Sequence, residues 1–523
     1  MARIISSKMR RDAPIIVLVF LVLSCQQHKE KALPPNILFI MSDDHTSQAW
    51  GIYNGILDGI IQNENIRRLA REGAVLDNVF CTNSICVPSR GSILTGQYSH
   101  ENGIYTLSDA LEPDDVNIAK DLQRNGYQTA VIGKWHLKKK PSGFDYFLVL
   151  PGQGLYKNPR LKSPEDWEDG SKGGKIYEGF STDVITEQSL KWLSSRKSEK
   201  PFFLMTHFKA THEPFDYPDR MATLYEHIKI PEPSTLLEFD QAISGRSFVG
   251  QQLEILGNRW EDHSKNPDRG WIRYPGLPFS VEGLDSSVAR KKIYQKFIKD
   301  FLRCGATIDE NIGKLLDYLD DNNLTENTVV IYTADQGYFL GEHGFFDKRM
   351  IYEESIRMPF VIRYPREIKG SVRVDDLILN IDFPALFADY AGITFPSFVR
   401  GKSFRRALLG ESDPDWRKSL YYRYWLHRSE RPAHFGIRTD RHKLAFFYGQ
   451  PLDMPGAMSE STKPAWEFYD LETDPFEARN AYHDTTYSAI IDSLKTELIK
   501  LRDGWKDTDD RYPTMQEIIK ANW

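Results

Sequence analysis

The chain of 523 residues contains only four cysteines, a density too low for a scaffold that depends on disulfides for its stability. Its net charge is −6, and its basic residues form no stripe beyond short runs such as HLKKK, so the charge pattern does not point to nucleic acid. Internal repeats and low-complexity segments are also missing. The length favours one large α/β domain with a smaller one, or two similar domains.

The N-terminus carries a short apolar run, PIIVLVFLVLSC, after the basic segment KMRR. The run is too short for a comfortable transmembrane helix, and the pattern is typical of an export signal. Its ending resembles the lipidation site of bacterial lipoproteins, which implies that Cys25 is lipidated, whereas a plain signal peptide is the alternative. We therefore expect a signal peptide over residues 1–24 and a tether over 25–34. The protein would be exported, periplasmic or on the outer membrane or cell surface, and bound to a membrane only through a lipid anchor.

Four apolar runs end in polar or charged residues, which indicates strands that lead into a site. They are NILFIMSDDH (36–45), QTAVIGKWHL (128–137), PFFLMTHFKATHEPF (201–215) and NTVVIYTADQG (327–337). Such runs are typical of buried strands in a mostly parallel sheet, and MPFVIRYP (358–365) is interpreted as a fifth strand. Open α/β sheets place their sites at the carboxyl ends of the strands. The sequence therefore predicts an α/β fold, a large mostly parallel sheet flanked by helices, with a site at that edge.

The remaining segments predict helices, one insertion and a second subdomain. Helical spacing indicates helices over 64–73, 115–127 and 286–323, the last as one long helix or a helix pair. Residues 215–285 show weak periodicity, and we expect a long irregular insertion beside a substrate cleft. After about residue 400, short antiparallel strands with turns precede a helix near the C-terminus. The expected division is a catalytic domain over 35–400 and a smaller C-terminal α+β subdomain over 401–523.

Three carboxylates and one amide follow two of the predicted strands. Asp43 and Asp44 end the first run, and Asp335 and Gln336 end the fourth. Oxygen donors of this kind suit Ca²⁺ or Mg²⁺ and are poor ligands for zinc. Each pair alone is also typical of a turn or a helix cap, but two pairs on neighbouring strands favour a metal site.

Basic side chains are predicted at the same edge. Lys134 and His136 follow the second strand, His212 follows the third, and Lys348 lies after the fourth. A single histidine is usually structural, but a Lys-x-His directly after a buried strand can direct both side chains toward one site. Together with a metal, these residues describe a pocket for a tetrahedral oxyanion.

Cys86 begins the stretch CVPSRGSILTG, in which the proline fits the first turn of a helix. A helix N-terminus favours anions and lowers the pKa of a thiol, so a reactive thiolate and a buried cysteine are both compatible with the local pattern. Cys304 lies inside the helical pattern of 286–323 and is interpreted as a core residue. With Cys25 set aside, three cysteines remain, so at least one is unpaired.

The stretch from Cys86 to Gly96 resembles the signature C-x-P-S-R-x-x-x-L-T-G of the type I sulfatases, which have an alkaline-phosphatase-like fold. The blocks DD (43–44), GKWHL (133–137), ADQGYFLGEHG (334–344) and DKRMIYEESIRMPF (347–360) also match family blocks in the right order. The resemblance covers the chain from about residue 34 to its C-terminus. It implies a sulfuric ester hydrolase of the bacterial, polysaccharide-active kind.

The resemblance also implies cofactors, a partner and site residues. In the family, a formylglycine-generating maturation enzyme converts the signature cysteine to formylglycine (3-oxoalanine), whose hydrated aldehyde attacks sulfur. The residues that match family positions are Asp43, Asp44, Asp335, Gln336 and the modified Cys86 as ligands of one Ca²⁺, Arg90 and Lys134 as groups that hold the hydrate, His136 as its base, and His212 and Lys348 as contacts of the sulfate. Gln336 stands where the family often has Asn or His, and offers the same carbonyl oxygen on a longer arm.

The expected substrate is a sulfated polysaccharide or its oligosaccharides. By resemblance it is algal, such as ulvan or carrageenan, or of the glycosaminoglycan type with 6-O-sulfated glucosamine. His343 and His434 are candidates for contacts with the sugar, and ordinary hydrogen-bonded histidines are the alternative. Two other classes of protein remain open: a phosphomonoester or phosphodiester hydrolase of the same superfamily, and a glycan-binding lipoprotein without activity.

Overall fold

A central eight-stranded sheet organises the computed structural model, which describes residues 34–61, 63–170, 172–239, 241–268 and 272–523. The predicted signal peptide, the predicted lipidation site Cys25 and all but the last residue of the predicted tether lie outside the described residues. The strands are β1 (Asn36–Asp43), β2 (Ala74–Leu76), β3 (Val79–Phe80), β4 (Gln128–Lys134), β5 (Tyr146–Leu150), β6 (Arg160–Leu161), β7 (Lys175–Ile176), β8 (Phe202–Thr211), β9 (Thr328–Ala334), β10 (Phe339–Leu340), β11 (Phe346–Asp347), β12 (Arg357–Met358), β13 (Phe360–Arg363), β14 (Val372–Val374), β15 (Ile378–Leu379), β16 (Ser419–Tyr424), β17 (His434–Thr439), β18 (His442–Phe447) and β19 (Ala465–Asp470).

The central sheet is mixed but mostly parallel, as predicted. Its order is β14-β2-β13-β9-β1-β8-β4-β5, and the five consecutive strands from β9 to β5 are parallel to one another. β13 runs antiparallel to both of its neighbours, β9 and β2. All five strands predicted from apolar runs are present, and the four central ones are buried almost throughout, which explains why their sequences are continuously apolar.

Helices cover both faces of the sheet. They are α1 (Glu64–Arg71), α2 (Cys86–Thr95), α3 (Ser99–Asn102), α4 (Ile118–Arg124), α5 (Ser181–Ser195), α6 (Gln241–Ser244), α7 (Glu254–Lys265), α8 (Ser286–Asp321), α9 (Glu353–Ile356), α10 (Phe383–Ala391), α11 (Arg405–Leu408), α12 (Ser488–Gly504) and α13 (Pro513–Asn522). Among the described residues, no helix has both the length and the apolar composition that a membrane span requires.

The segment predicted as one helix or a pair is a single helix, α8. The side chain of Asp285 caps its start by accepting a hydrogen bond from the backbone N–H of Ser287 (2.9 Å). Two glycines inside it allow close packing, since a Cβ at Gly313 would lie 2.6 Å from Oδ1 of Asn65. Cys304 is fully buried on this helix, as its interpretation as a core residue predicted.

The insertion of 215–285 is partly helical, so the expectation of an irregular segment is wrong over α7. Leu256 and Trp260 on α7 share an apolar cluster with Ile293 and Phe297 on α8. The apolar residues of α7 are few and are separated by charges, so its periodicity in the sequence is weak. Packing against α8 therefore stabilises this helix, although the local sequence pattern does not indicate one.

The C-terminal part contains the expected antiparallel sheet and helix. β16, β17, β18 and β19 pair in sequence order, and α12 is the helix predicted after them. The last helix, α13, was not predicted; it buries Met515, and Trp466 on β19 donates to the carbonyl of Asn522 (2.8 Å). Pro34–Trp523 form one compact unit, and the boundary at residue 400 stays a prediction.

Candidate active site

The strand ends bring the predicted site residues together. Asp43 is the last residue of β1 and Lys134 the last of β4, while Asp335 directly follows β9 and His212 directly follows β8. These four strands are parallel neighbours, so their carboxyl ends lie at one edge of the sheet. We call the residues that meet there the strand-end cluster: Asp43, Asp44, Cys86, Arg90, Lys134, His136, His212, Asp335, Gln336 and Lys348.

Cys86 is the first residue of α2, and every residue of that helix is buried. The helix is tied to the sheet by side chains of its first turns. The hydroxyl of Ser89 donates to the carbonyl of Asp335 and accepts from Nδ2 of Asn380 (2.9 Å). Arg90 donates from Nη1 to the carbonyl of Lys134 (2.6 Å). The signature motif therefore positions its cysteine through contacts with the ends of two strands.

The strand-end cluster contains three buried carboxylates. Asp43, Asp44 and Asp335 each offer an oxygen, and these oxygens lie within 4.8 Å of one another. Burial raises the pKa of Asp335 to about 7, and neighbouring Asp43 adds to the effect. Oδ1 of Asp43 and Oε1 of Gln336 are buried without a hydrogen-bond partner among the described residues. Buried oxygen atoms without a hydrogen-bond partner, beside three carboxylates, fit a hard cation.

Three cations surround these carboxylates. Lys134 contacts Asp43, and Lys348 donates to both oxygens of Asp44 (2.5 and 2.6 Å). Arg90 donates from Nε to Asp335 (2.8 Å). Burial would raise the pKa of Asp43, but the charge of Lys134, with those of Arg90 and Lys348, outweighs it and holds the pKa well below its ordinary value. The cluster is therefore a network of alternating charges.

The thiol of Cys86 lies inside this network. Its Sγ is 4.0 Å from Oδ1 of Asp44 and 3.9 Å from Nε2 of Gln336. Burial, reinforced by the charge of Asp43, raises the pKa of Cys86 to about 12. The helix start alone predicts a lowered pKa, so that expectation is wrong, because desolvation and the nearby acid outweigh the helix dipole. A thiolate is not the form that this site stabilises.

Both histidines of the cluster are neutral. Burial, and then the charge of Lys134, lowers the pKa of His136 and of His212 well below the ordinary value. His136 has a φ of 60°, and its Nδ1 is buried without a partner among the described residues. Nδ1 of His212 is 2.9 Å from the carbonyl of Glu213, which only accepts, so Nε2 is the nitrogen that faces Asp44 at 3.8 Å.

Several polar residues around the cluster were not predicted from the sequence. Gln153 accepts a hydrogen bond from Nζ of Lys134 (2.5 Å). Asp347, next to Lys348, contacts Arg349 and pairs with Arg431 (2.8 Å). Asp347 and Arg349 lie inside the quoted block DKRM, which was the available signal for them. Arg431 comes from the segment between β16 and β17, and nothing in the sequence pattern connects it to this site.

His343 and His434 lie apart from the strand-end cluster, with which neither has a hydrogen bond or ion pair among the described residues. Both are buried. Nδ1 of His343 is 2.5 Å from Nη2 of Arg246, and the ring borders a cavity of about 250 Å³. Nδ1 of His434 is 2.7 Å from the carbonyl of Pro432, and the ring stacks on Phe447 with centroids 4.7 Å apart. Their role as sugar contacts stays a prediction.

The fold and the cluster agree with the family to which comparison assigns the chain. The family model described as Sulfatase matches residues 35–393, and a second one, described as N-sulphoglucosamine sulphohydrolase, C-terminal, matches residues 341–504. The chain therefore belongs to the sulfatase family, as the signature motif predicted, and its class is that of a sulfuric ester hydrolase.

Individual relatives cover nearly the whole chain. A protein named N-acetylglucosamine-6-O-sulfatase from Bacteroides thetaiotaomicron is 36% identical over 513 residues, which is 92% of this chain and 88% of that protein. A solved structure of a protein in complex with its substrate D-glucosamine-2-N,6-O-disulfate has a TM-score of 0.79 at 34% identity and covers 92% of this chain and 100% of that one. An ulvan-active sulfatase from Formosa agariphila is 24% identical and covers 97% of this chain and 90% of that protein.

Proposed function

We propose that the protein removes the 6-O-sulfate group from glucosamine units of a sulfated polysaccharide or its oligosaccharides. The observation that carries the proposal is the strand-end cluster, in which a buried cysteine, acids, lysines and histidines converge at one sheet edge. The relatives at 36% and 34% identity support glucosamine 6-O-sulfate over ulvan, because the ulvan-active relative is 24% identical. A phosphate ester hydrolase is the second candidate, but the cluster has few histidines and a set of oxygen ligands.

Cys86 is proposed as the precursor of formylglycine, made by a maturation enzyme. Once formed, the hydrated aldehyde supplies the nucleophile of the reaction. The site fits this group, because Cys86 stands at the centre of the charged network and its thiol, with a pKa of about 12, is not activated by its surroundings. Arg90 and Lys134 carry the charges that hold the group at this position.

Asp43, Asp44, Asp335 and Gln336 are proposed to hold one Ca²⁺, with the modified residue 86 as a further ligand. Bound there, the ion supplies positive charge for the sulfate oxygens. Two unpartnered buried oxygens and three carboxylates within reach of one another support this assignment. All of these donors are oxygens, which favours Ca²⁺ or Mg²⁺ over zinc.

The remaining residues of the cluster act on protons and on the sulfate group. His136 is neutral, so it can accept a proton from the nucleophile at the position of residue 86. Lys348 stays charged, because Asp44 holds its pKa well above the ordinary value although burial opposes this. It is placed to bind the sulfate. His212 is proposed as the proton donor to the leaving oxygen of the sugar; because its Nδ1 is held by the carbonyl of Glu213, it can give this proton from Nε2 only after it has taken one up.

We also propose that the protein is an exported lipoprotein, periplasmic or attached to the outer membrane or cell surface through Cys25. The basic and apolar N-terminal pattern supports export.

The proposed sugar contacts differ in how a sugar could reach them. His343 borders a cavity through which a sugar could approach its ring. His434 is enclosed by Tyr422, Tyr424 and Phe447.

The proposal is tested with protein produced in a host that makes formylglycine. We expect release of sulfate from glucosamine 6-O-sulfate and N-acetylglucosamine 6-O-sulfate, less from ulvan and carrageenan fragments, and no phosphate from the corresponding phosphate esters. Mass spectrometry of the peptide with Cys86 should show the aldehyde in place of the thiol. An unmodified cysteine in fully active protein would refute the mechanism.

Two cysteine variants separate the site from the core. Cys86→Ala should abolish desulfation while the melting temperature stays close to that of the parent protein. Cys304→Ala, a matched control in the core of α8, should lower stability by about 1 kcal/mol and keep most of the activity. Equal residual activity in the two variants would contradict the assignment of Cys86.

A further inference from the structure

A cavity of about 420 Å³ lies beside His136, where β4 and β5 end. We call it the lysine pocket, and the side chains that define it are Trp135, His136, Lys138, Lys139, Lys162 and Trp167. Gly152 also lines it, and the next residue, Gln153, accepts the hydrogen bond from Lys134. The pocket therefore adjoins the strand-end cluster and shares His136 with it.

Lys162 is a buried cation without a matching anion. Its exposed fraction is 1%, and its ammonium group donates to the carbonyls of Glu168 and Gly170, which are neutral groups. The same group lies 4.7 Å from the ring centroid of Trp167. Among the described residues, no carboxylate oxygen lies within the 4 Å of an ion pair with Lys162. The charges of Asp169, Glu168 and Asp166 favour the ammonium form from a distance, but none pairs with it directly, so an anion that enters this pocket meets a cation without an ion-pair partner.

The other charges of the pocket are weakly held. Lys138 donates to the carbonyl of Ser108 (2.5 Å), again a neutral acceptor. Lys139 lies 3.4 Å from Glu112, and both side chains are substantially exposed, so this pair is worth little. Asp169 is the carboxylate of the lining, and Trp167 donates to it from Nε1 (3.0 Å). The lining itself thus holds three lysines and one carboxylate.

The position of the pocket indicates which part of a substrate it receives. His212 and Lys348, the groups placed at the scissile sulfate, are not among its lining residues, whereas His136 is. The pocket is thus next to the reacting centre but separate from the position of the ester that is cleaved. Its two tryptophans offer apolar surface of the kind on which sugar rings pack, and its lysines offer charge for sulfate or carboxylate.

We propose that the lysine pocket binds an anionic sugar unit adjacent to the one that is desulfated, through a sulfate ester or a carboxylate of that unit. This inference rests on the proposed function and adds the neighbour of the reacting sugar to it. The enzyme then prefers oligosaccharides with a negative charge next to the reacting glucosamine, because Lys162 and Lys139 gain a partner when such a unit binds.

The test compares kcat/KM for four substrates with the same reacting unit. They are glucosamine 6-O-sulfate alone, and disaccharides that join it to a neutral sugar, a sulfated sugar or a uronic acid. We expect the anionic disaccharides to be favoured about tenfold over the neutral one, which corresponds to about 1.4 kcal/mol. A preference for the sulfated or for the uronic neighbour identifies the anion.

The variants connect this preference to the pocket. Lys162→Met and Lys139→Ala should each reduce it, mainly through a higher KM for the anionic disaccharides, and should leave turnover of the single sugar sulfate unchanged. Lys139 is exposed, so its variant folds even if Lys162→Met does not. Lys157→Ala, on an exposed lysine outside the pocket, is the matched control and should keep the preference.

Two different failures are distinguishable in this experiment. A parent protein that cleaves glucosamine 6-O-sulfate but treats all disaccharides alike overturns the inference and leaves the proposed function intact. The same holds if the preference survives in Lys139→Ala and Lys162→Met. A correctly matured parent protein that cleaves none of the four substrates overturns the proposed function itself.

Discussion

At the scale of single residues, the site is a balance of buried charges. Asp43, Asp44 and Asp335 face Lys134, Arg90 and Lys348, so three negative and three positive charges cancel. A bound divalent cation leaves the site positive, and a sulfate ester carries one negative charge. With the metal alone the site carries two positive charges, and with both the metal and the ester it carries one, so an anionic ester is better matched to the metal-bound site than to the empty one.

Removal of the metal is expected to destabilise the protein as well as to inactivate it. Because a ligand that binds only the folded state stabilises it, chelation should lower the melting temperature, and saturation at 100 times the dissociation constant corresponds to about 2.7 kcal/mol. Ca²⁺ should restore the melting temperature at lower concentration than Mg²⁺. Thermal unfolding monitored with and without chelator measures the effect.

Two variants control for nonspecific effects of the chelator. Asp335→Asn removes one charge of the proposed ligand set, so its melting temperature should respond weakly to chelation and to Ca²⁺. Asp183→Asn, on the surface of α5, should respond as the parent protein does. A parent protein whose melting temperature does not change on chelation would contradict the proposed Ca²⁺ site.

The residues of the site could be predicted from the sequence to different extents. Asp43, Lys134, His212 and Asp335 follow apolar runs, so their meeting point follows from the parallel sheet alone. The pKa of Cys86 could not be predicted, because it depends on burial under segments that are distant in sequence. Gln153 and Arg431 were missed for the same reason, since only the folded chain brings them to the cluster, whereas Asp347 is adjacent to Lys348 in the sequence and was overlooked.

At the scale of secondary structure elements, one glycine determines how closely two strands meet under the site. Gly133 precedes Lys134 on β4 and has a φ of 108°. A Cβ at this position would lie 1.9 Å from the carbonyl oxygen of His207 on β8. The backbones of β4 and β8 are therefore in contact next to Lys134.

Gly133→Ala is expected to move Lys134 and to destabilise the protein by more than about 3 kcal/mol, because backbone atoms must shift as well as adopt a strained φ. Activity should fall in parallel. Gly126→Ala is the matched control: its φ is 91°, but no atom lies within 4 Å of the added Cβ, so it should cost about 1 kcal/mol and leave kcat unchanged. Chemical denaturation and steady-state kinetics measure both. Similar losses in the two variants would contradict the close contact.

Elements with strong periodicity were predicted well, and those that depend on partners were not. The apolar stripe of α8 indicated the helix but not that it runs unbroken to Asp321, because Gly305 and Gly313 interrupt the pattern. α7 and α13 were not predicted, because their apolar residues are sparse. Contacts with residues distant in sequence hold them in place: Phe297 packs with α7, and Trp466 donates a hydrogen bond to α13.

At the scale of the whole molecule, the C-terminal sheet supports the site from one side. Arg431 pairs with Asp347, and the hydroxyl of Tyr422 donates to the carbonyl of Arg349 (2.8 Å). Residues of the C-terminal part thus contact both the residue before Lys348 and the residue after it. The C-terminal sheet and the loop that carries Lys348 are therefore expected to lose their structure together.

The end of the chain is attached through a buried ion pair that links stability to pH. Asp507 accepts from Arg423 (2.7 Å) and from the hydroxyl of Tyr421 (2.6 Å). Burial raises the pKa of Asp507, but Arg423, with His100 and Arg502, outweighs it, and the pKa is lowered overall. Because the folded-state pKa lies below the unfolded one, this contribution is present above the unfolded value and is lost as the pH falls through the folded value.

Asp507→Asn should therefore reduce the free energy of unfolding by about 2 kcal/mol at pH 7, since it leaves the buried Arg423 with one carboxylate partner, Asp509, instead of two. The difference from the parent protein should shrink below about pH 4. Denaturant unfolding at several pH values measures it. Asp510→Asn, on an exposed neighbour, should have little effect at any pH. A constant difference across the pH range would contradict the assignment.

The burial of α2 determines when Cys86 can be modified. All ten residues from Cys86 to Thr95 are buried in the folded protein, so a modifying enzyme cannot bind this motif once the chain has folded. On the proposal that Cys86 is oxidised, the reaction has to take place on a chain that has not yet folded. Oxidation of Cys86 then competes kinetically with folding. A molecule that folds before it is oxidised keeps its thiol and stays inactive. The active fraction in a preparation thus equals the fraction of chains that were oxidised before they folded.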